Sequence, residues 1–289
     1  MRRILIHFDT DSVPSVFDRV VAVDAGVDEL FSYGGIEPSG VESLVHGAIF
    51  TRGPADLKHT AIFIGGSRVE EGQELFEKVR SVFFGPMRVS VMMDSNGSNT
   101  TAAAAVLAAK RHFDLKGRRA LVLGGTGPVG QRAAQLLARE GARVCVASRS
   151  LERANSAAAS IRELVAGADV TGVSTGTSAD LAESFRDVEI LIAAGAAGAQ
   201  FLSAGERETI AGLKVAIDLN AVPPVGLAGI EVTDKGKERH GAFYYGAIGV
   251  GGTKMKIHKA CLSRLFESND QILGTERIYE IGESITASK

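Results

Sequence analysis

Gly125-Thr126-Gly127-Pro128-Val129-Gly130 is the stretch on which the fold of this chain turns. It has the form G-x-G-x-x-G, which means little alone. Its setting gives it weight. The apolar run Arg118 to Leu123 reads as a strand before it, and Gln131 to Glu140 as a helix after it, stopped by Gly141. Arg143 to Ala147 then reads as a second strand, at the distance a strand–helix–strand unit needs. A dinucleotide requires this arrangement. The first glycine permits a tight turn, the second lets backbone approach a pyrophosphate, and the third permits close helix–strand contact. The helix N-terminus favours the negative charge. Gly125, Thr126, Gly127, Pro128, Val129 and Gly130 are therefore candidate cofactor-binding residues, the alternative being a purely structural turn.

The end of the second strand bears on which dinucleotide binds. A site for NAD usually carries Asp or Glu there, to bind the ribose 2′-hydroxyl. This chain has Ala147-Ser148-Arg149-Ser150 and no acid before Glu152. A guanidinium pairs with a 2′-phosphate and hydroxyls hydrogen-bond to it. Ser148, Arg149 and Ser150 thus favour NADP, with NAD still possible. Ala194 and Gly195 follow a third strand, Val188 to Ala193. Asp218 and Asn220 follow a fourth, Leu213 to Leu219, with Pro223-Pro224 stiffening the exit. These are strand carboxyl ends, where open α/β sheets bind ligands.

Upstream, Arg3 to Phe8 reads as a buried strand running into Asp9-Thr10-Asp11-Ser12, and Pro14-Ser15 opens a helix. Val45 to Thr51 and Thr60 to Ile64 are strand-like, Val69 to Phe84 has helical spacing, and Arg88 to Met93 is strand-like again. Asp94-Ser95-Asn96-Gly97-Ser98-Asn99 is a dense turn cluster, after which Thr100 or Thr101 is placed to cap an Ala-rich helix. Lys254 to Phe266 and Glu276 to Ile285 read as helices. Alternating strand and helix imply α/β architecture with a doubly wound parallel sheet.

Composition narrows the function. The 32 Lys+Arg against 34 Asp+Glu leave a net charge of −2, which argues against a nucleic-acid partner. No apolar run reaches the roughly 18 residues of a membrane span. The two cysteines make neither a disulfide framework nor a metal cluster, and Cys145 and Cys261 read as buried thiols of a reducing, cytoplasmic compartment.

The segment Gly249 to His258 adds a second signal. Thr253 looks like an N-cap, which would put Lys254 and Lys256 in a first helical turn, where cations oppose the helix dipole. That suggests a functional role, although two solvated lysines are the plainer account. With these motifs assembled, the chain resembles the bacterial NAD(P)-dependent methylenetetrahydromethanopterin dehydrogenases. The resemblance is carried by Phe8-Asp9-Thr10-Asp11, Pro14 to Asp18, Ile49 to Gly53, Thr60 to Gly66, Phe83 to Pro86 and, most specifically, Asp94 to Ala104. Gly125 to Gly130, Asn220 to Pro224, Thr233 to Glu238 and Gly249 to His258 also fit, so nearly the whole chain is covered.

The resemblance implies two domains. A smaller α/β pterin-binding domain would span residues 1–105, completed by helices of 254–289, and a Rossmann-type NAD(P) domain would span 106–253. It implies reversible hydride transfer from the methylene carbon of the tetrahydromethanopterin substrate, in formaldehyde oxidation, in a cleft between the domains of a homotrimer or homohexamer. Lys254 and Lys256 would be the pterin-side catalytic contacts, with Asp9, Asp11, Asp18, Asn96, Asn99 and Thr101 orienting the pterin. Loop solvation, a tight turn or a helix cap would account for the latter set individually. Family members strict for NADP carry a second basic residue after the arginine; Ser150 stands there. A methylenetetrahydrofolate dehydrogenase is the nearest rival, but its Tyr-x-x-x-Lys motif of cyclohydrolase activity is missing at Tyr33, Tyr244, Tyr245 and Tyr279. A shikimate-dehydrogenase-like enzyme fits only the Rossmann half, and a non-catalytic pterin or NADPH sensor is the reading from another class.

Overall fold

The computed structural model describes residues 1–208 and 210–287. In chain order the elements are β1 (Ile4–Asp9), α1 (Val16–Asp24), β2 (Glu29–Tyr33), α2 (Val41–Ile49), β3 (Thr60–Gly65), α3 (Val69–Val82), β4 (Ser90–Met93) and α4 (Ser98–Lys110). They continue as β5 (Arg119–Leu123), α5 (Pro128–Arg139), β6 (Arg143–Ser148), α6 (Leu151–Leu164), β7 (Val170–Ser174), α7 (Ser178–Ser184), β8 (Ile190–Ala193), α8 (Ala204–Glu208) and β9 (Val215–Asp218). The last are β10 (Lys235–Arg239), β11 (Ala242–Tyr245), α9 (Ala247–Arg264), β12 (Ile272–Leu273) and α10 (Thr275–Ala287). Two compact units result, one of residues 1–100 with 255–289 and one of residues 101–254.

The first unit holds a sheet in the order β12-β4-β3-β1-β2, parallel throughout. A parallel sheet covered on both faces reads as continuous apolar runs, and Thr60–Gly65 is buried at every position. Phe8, Val45, Ile49, Ile62, Leu75 and Val91 form its core. The strand order reverses between β1 and β3, so the loops after these strands flank a switch point.

The second unit holds the order β10-β11-β9-β8-β5-β6-β7, parallel except for the antiparallel edge strand β10. From β7 to β11 this is the 3-2-1-4-5-6 order of a Rossmann sheet. Its reversal lies between β5 and β8, where the glycine turn sits. Among the described residues no helix is long and apolar enough to cross a membrane.

Three local expectations are corrected. Val45 to Thr51 is not a strand; most of it lies in α2, where Val41, Val45, Ala48 and Ile49 are buried at helical spacing. Neither Thr100 nor Thr101 caps the Ala-rich helix, because both lie inside α4. Thr253 is no N-cap either: α9 starts at Ala247, and Thr253 is buried in its middle. The reason is Gly249, where a Cβ would stand 1.7 Å from the Asp234 carbonyl oxygen. The glycines there admit close backbone packing rather than breaking the helix.

Candidate functional site

In the second unit the glycine turn is built as its spacing suggests. Gly125 donates its N–H to the Ala147 carbonyl at 3.0 Å, and a Cβ on Gly125 would meet Val122 O and Val146 Cγ1 at 2.8 Å. Gly130 packs its α5 backbone so closely that a Cβ would lie 2.4 Å from Gly124 O. Gly127 differs: the nearest atoms to its would-be Cβ are 3.3 and 3.8 Å away. It is the least crowded of the three, and a Cβ there would occupy the space a ligand's phosphate needs for close approach. Pro128 brings no N–H, so the first donors the helix itself leaves unused are those of Val129 and Gly130. Gln131 Nε2 donates to Thr126 O at 2.8 Å and holds the turn in place.

Gly124 escaped the sequence reading. Its φ is +67°, and a Cβ would meet Ala194 O and Gly195 N at 2.8 Å. The Gly-Gly doublet at the end of an apolar run was the available signal. This glycine brings the loop with Ala194 and Gly195 against the glycine turn, across the β5/β8 switch point. Gly195 in turn backs onto Phe201, whose ring a Cβ would strike at 2.4 Å.

At the end of β6, Arg149 is exposed. Ser150 caps α6 by accepting from Arg153 N at 3.3 Å, and Ser148 Oγ accepts from Ser150 N at 3.3 Å. The two serines therefore shape the bend that presents the guanidinium. Asp218 is buried and accepts from Asn220 N at 3.0 Å and Leu227 N at 2.7 Å. Burial pushes its carboxyl above the usual range, against the pull of the Leu227, Asn220 and Gly226 amides. Asn220 accepts from Val222 N and donates to Pro224 O. Both residues spend these atoms on folding the loop after β9.

In the first unit Asp9 ends β1, fully buried. It accepts from Asp11 N and Ser15 N, each at 2.9 Å, and lies 3.3 Å from His7 Nε2. Burial alone would raise its pKa, but His7 and the Ser15 and Asp11 amides outweigh that and hold it below the usual carboxylate value. Asp11 reaches across to the loop after β3, accepting from Ser67 N at 2.9 Å and Ser67 Oγ at 2.8 Å. Asp18 lies in the first turn of α1, half-buried, and its N–H donates to the Ser15 cap. Thus Asp9 and Asp11 together knit the two loops at the switch point.

After β4, Asn96 is exposed with φ +54°, and its N–H donates to Gly66 O at 2.7 Å. Asn99 is buried, donating to Met93 O and accepting from Thr275 Oγ1, each at 2.7 Å. Asp94, not a threonine, secures the start of α4. Its Oδ1 accepts from Asn99 N and Thr100 N at 2.9 and 3.1 Å, and its Oδ2 from Thr100 Oγ1 at 2.7 Å. Thr101 is half-buried in the next helical position. On α9, Lys254 is half-buried and Lys256 exposed. Two residues apart on a helix, they point to opposite sides, and being mid-helix they carry no first-turn dipole penalty.

The comparisons extend this picture. The family model of the methylene-tetrahydromethanopterin dehydrogenase N-terminal region matches residues 16–96, and that of shikimate/quinate 5-dehydrogenase matches residues 106–226. Among solved structures, the quinate dehydrogenase from Corynebacterium glutamicum in complex with NAD has a TM-score of 0.55 at 14% identity, covering 98% of this chain and 99% of that one. The shikimate 5-dehydrogenase from Listeria monocytogenes in complex with shikimate and NAD has 0.54 at 13%, covering 97% and 96%. At such identities these likenesses show the fold alone: a Rossmann-type α/β protein. Curated relatives narrow it further. The chain is 43% identical to the bifunctional protein MdtA of Methylorubrum extorquens over 98% of this chain and 99% of that one. It is 33% identical to the NAD(P)-dependent methylenetetrahydromethanopterin dehydrogenase of the same organism, over 94% and 95%. The chain belongs to the family of NAD(P)-dependent methylenetetrahydromethanopterin dehydrogenases.

Proposed function

We propose that the protein catalyses the reversible NADP-dependent dehydrogenation of methylenetetrahydromethanopterin to the methenyl form, in one-carbon oxidation at the level of formaldehyde. The observation that carries this reading is the joining, in one chain, of two parts. One is a glycine-turn nucleotide fold; the other is an N-terminal unit matching the family's own N-terminal model. The residues present fit a dinucleotide, since Gly127 leaves the cradle open where a Cβ would otherwise stand. When bound, the nicotinamide accepts a hydride. The donor carbon lies between two nitrogens whose lone pairs delocalise the resulting cation, so the protein has no proton to abstract.

The chain's own residues then bind and orient, which is where such catalysis gains its rate. Gly125 to Gly130 and the start of α5 take the pyrophosphate, with Ala194, Gly195, Asp218 and Asn220 shaping the neighbouring loops. Arg149, set by Ser148 and Ser150, favours the 2′-phosphate, and NAD is the weaker partner. The unit of residues 1–100 and 255–289 takes the pterin. Within it Asp11, Asp18 and Asn96 are our candidates to orient the pterin, while Asp9 and Asn99 hold the loops; Thr101 falls in the other unit. Of the two lysines, Lys256 is our first choice as the pterin contact and Lys254 the second. Both cysteines are free and buried, which suits a cytoplasmic enzyme. The exposed apolar face of α1 suits a homotrimer or homohexamer.

An absorbance assay with methylenetetrahydromethanopterin, using NADP and NAD in parallel and methylenetetrahydrofolate as control, tests the reading. We expect methenyl formation with the methanopterin substrate, faster with NADP. Nucleotide binding without turnover of either pterin would move the protein to a sensor role.

A further inference from the structure

Two imidazoles pack against Phe63 of β3 in the first unit, and each lies near a buried carboxylate. His7 packs at 5.3 Å from the Phe63 ring and sits beside Asp9. His258, from α9, stacks on the same ring at 5.6 Å with an interplanar angle of 27°. Its Nδ1 stands 3.8 Å from Asp94 Oδ2. His258 and Asp94 are both fully buried, and Phe17 of α1 tilts against the same imidazole at 6.4 Å. One side chain from the distant end of the sequence thus touches β3, α1 and the carboxylate that organises the turn after β4.

That carboxylate matters because of what it holds. Asp94 fixes the Asn99 and Thr100 amides and so the turn on which Asn96 is displayed in its left-handed conformation. A buried carboxylate stays in place only while its partners compensate its lost hydration. Its negative charge is felt nearby: burial first, then Asp94, pushes the Cys261 thiol up, so Cys261 stays neutral.

We propose that His258 is a positioning residue for pterin binding: seated between Phe63 and Asp94, it fixes the carboxylate that sets the turn of residues 94–99, and it governs pterin affinity without touching the substrate. This rests on the dehydrogenase reading for its kinetic consequence, not for its geometry.

Two variants separate the contributions of the ring. His258→Phe keeps the stack on Phe63 and removes the nitrogen facing Asp94. His258→Asn keeps a polar nitrogen there and removes the stack. We expect His258→Phe to raise the pterin KM about tenfold, with the NADP KM and kcat changed less than about threefold. His258→Asn is expected to stay within about threefold of wild type in all three. Amide hydrogen exchange gives the activity-independent readout: the Asn99 and Thr100 amides should exchange faster in His258→Phe than in wild type or His258→Asn. Equal pterin KM in wild type and both variants overturns the proposal. So does a rise of pterin and NADP KM together, or an equal loss in both variants. Should His258→Phe fail to fold, Thr100→Val serves instead; it removes the hydroxyl donor to Asp94 Oδ2 and must raise the pterin KM selectively, or the proposal fails. If the wild-type protein turns over neither pterin, the dehydrogenase reading falls and the exchange rates alone decide the positioning role.

Discussion

Arg149 is the residue on which nucleotide choice rests, and its exposure makes the test clean, because nothing in the core depends on it. Hydrogen bonds to a charged group contribute about 1.5–3 kcal/mol. Arg149→Ala is therefore expected to raise the NADP KM by about tenfold or more while the NAD KM moves by less than about twofold, in steady-state assays with both nucleotides. Asp9 gives a prediction of another kind. Its carboxyl is held below the usual 3.8 by His7 and two backbone amides, despite burial. A depressed carboxylate contributes stability that is complete above the unfolded value and is lost as pH falls through the folded one. Acid titration of thermal stability should show a loss below about pH 4 that Asp9→Asn flattens; an unchanged acid limb would remove Asp9 from the account. These residues also mark what the sequence made legible. Gly125, Gly127 and Gly130 could be read because their spacing follows a strand and opens a helix, whereas Gly124, outside that spacing, could not. The roles of Asp9 and Asn99 could not be assigned from sequence, because a polar loop side chain aimed at substrate and one aimed at its own backbone look alike until burial is known. Here both are buried.

At the scale of elements, periodicity and breakers located most strands and helices, and the failures have physical causes. The second half of α2 was mistaken for a strand because Val45, Ile49 and the following Thr51 are β-branched, whereas the burial of Val41, Val45, Ala48 and Ile49 repeats at three and four residues. The hairpin of β10 and β11 was missed because Lys235–Arg239 is polar and lies at a sheet edge, where burial imposes no alternation. The start of α9 was misplaced because its glycines look like stops. Their role can be tested directly: Gly249→Ala puts a Cβ 1.7 Å from Asp234 O, and the backbone there has to shift. A clash of that sort costs about 1–3 kcal/mol, so thermal unfolding should shift downward by several degrees, with Gly251→Ala, which meets nothing within 4 Å, as the neutral comparison. At the start of α4 the capping carboxylate is likewise separable from propensity. Asp94→Ala removes the cap and leaves an Ala-rich helix that propensity still favours. Loss of a cap costs about 0.5–2 kcal/mol, and the Thr100 hydroxyl keeps only its longer contact to Gly97 O at 3.4 Å, so the lowered melting temperature should come with faster exchange confined to the first turn of α4.

For the whole molecule, the feature that folding leaves unexplained is the outer face of α1. Val16, Val20 and Val23 are 70%, 55% and 61% exposed and follow one another at helical spacing. Beside them β2 ends its sheet, with Phe31 and Tyr33 also exposed. A protein working alone at high concentration seldom keeps such a continuous apolar stripe beside an open strand edge, since both invite association. Burying the stripe against a complementary face of a neighbouring copy would remove this liability, and such a head-to-tail contact gives a closed ring when its rotation closes. Arg19 and Asp24 border the valines, and Asp24 is already committed to Lys259 at 2.8 Å. The valines are exposed in the single chain, so replacing them with charge should spare the fold and act on assembly alone. Sedimentation of the purified protein should give a mass of three or six chains of 30.3 kDa. Val20→Asp with Val23→Asp should sediment as a smaller species with a circular dichroism spectrum like that of wild type. A monomeric wild type at concentrations of about 10 μM, well above the Kd of a stable interface, would mean that this face is covered by something other than another copy of the chain.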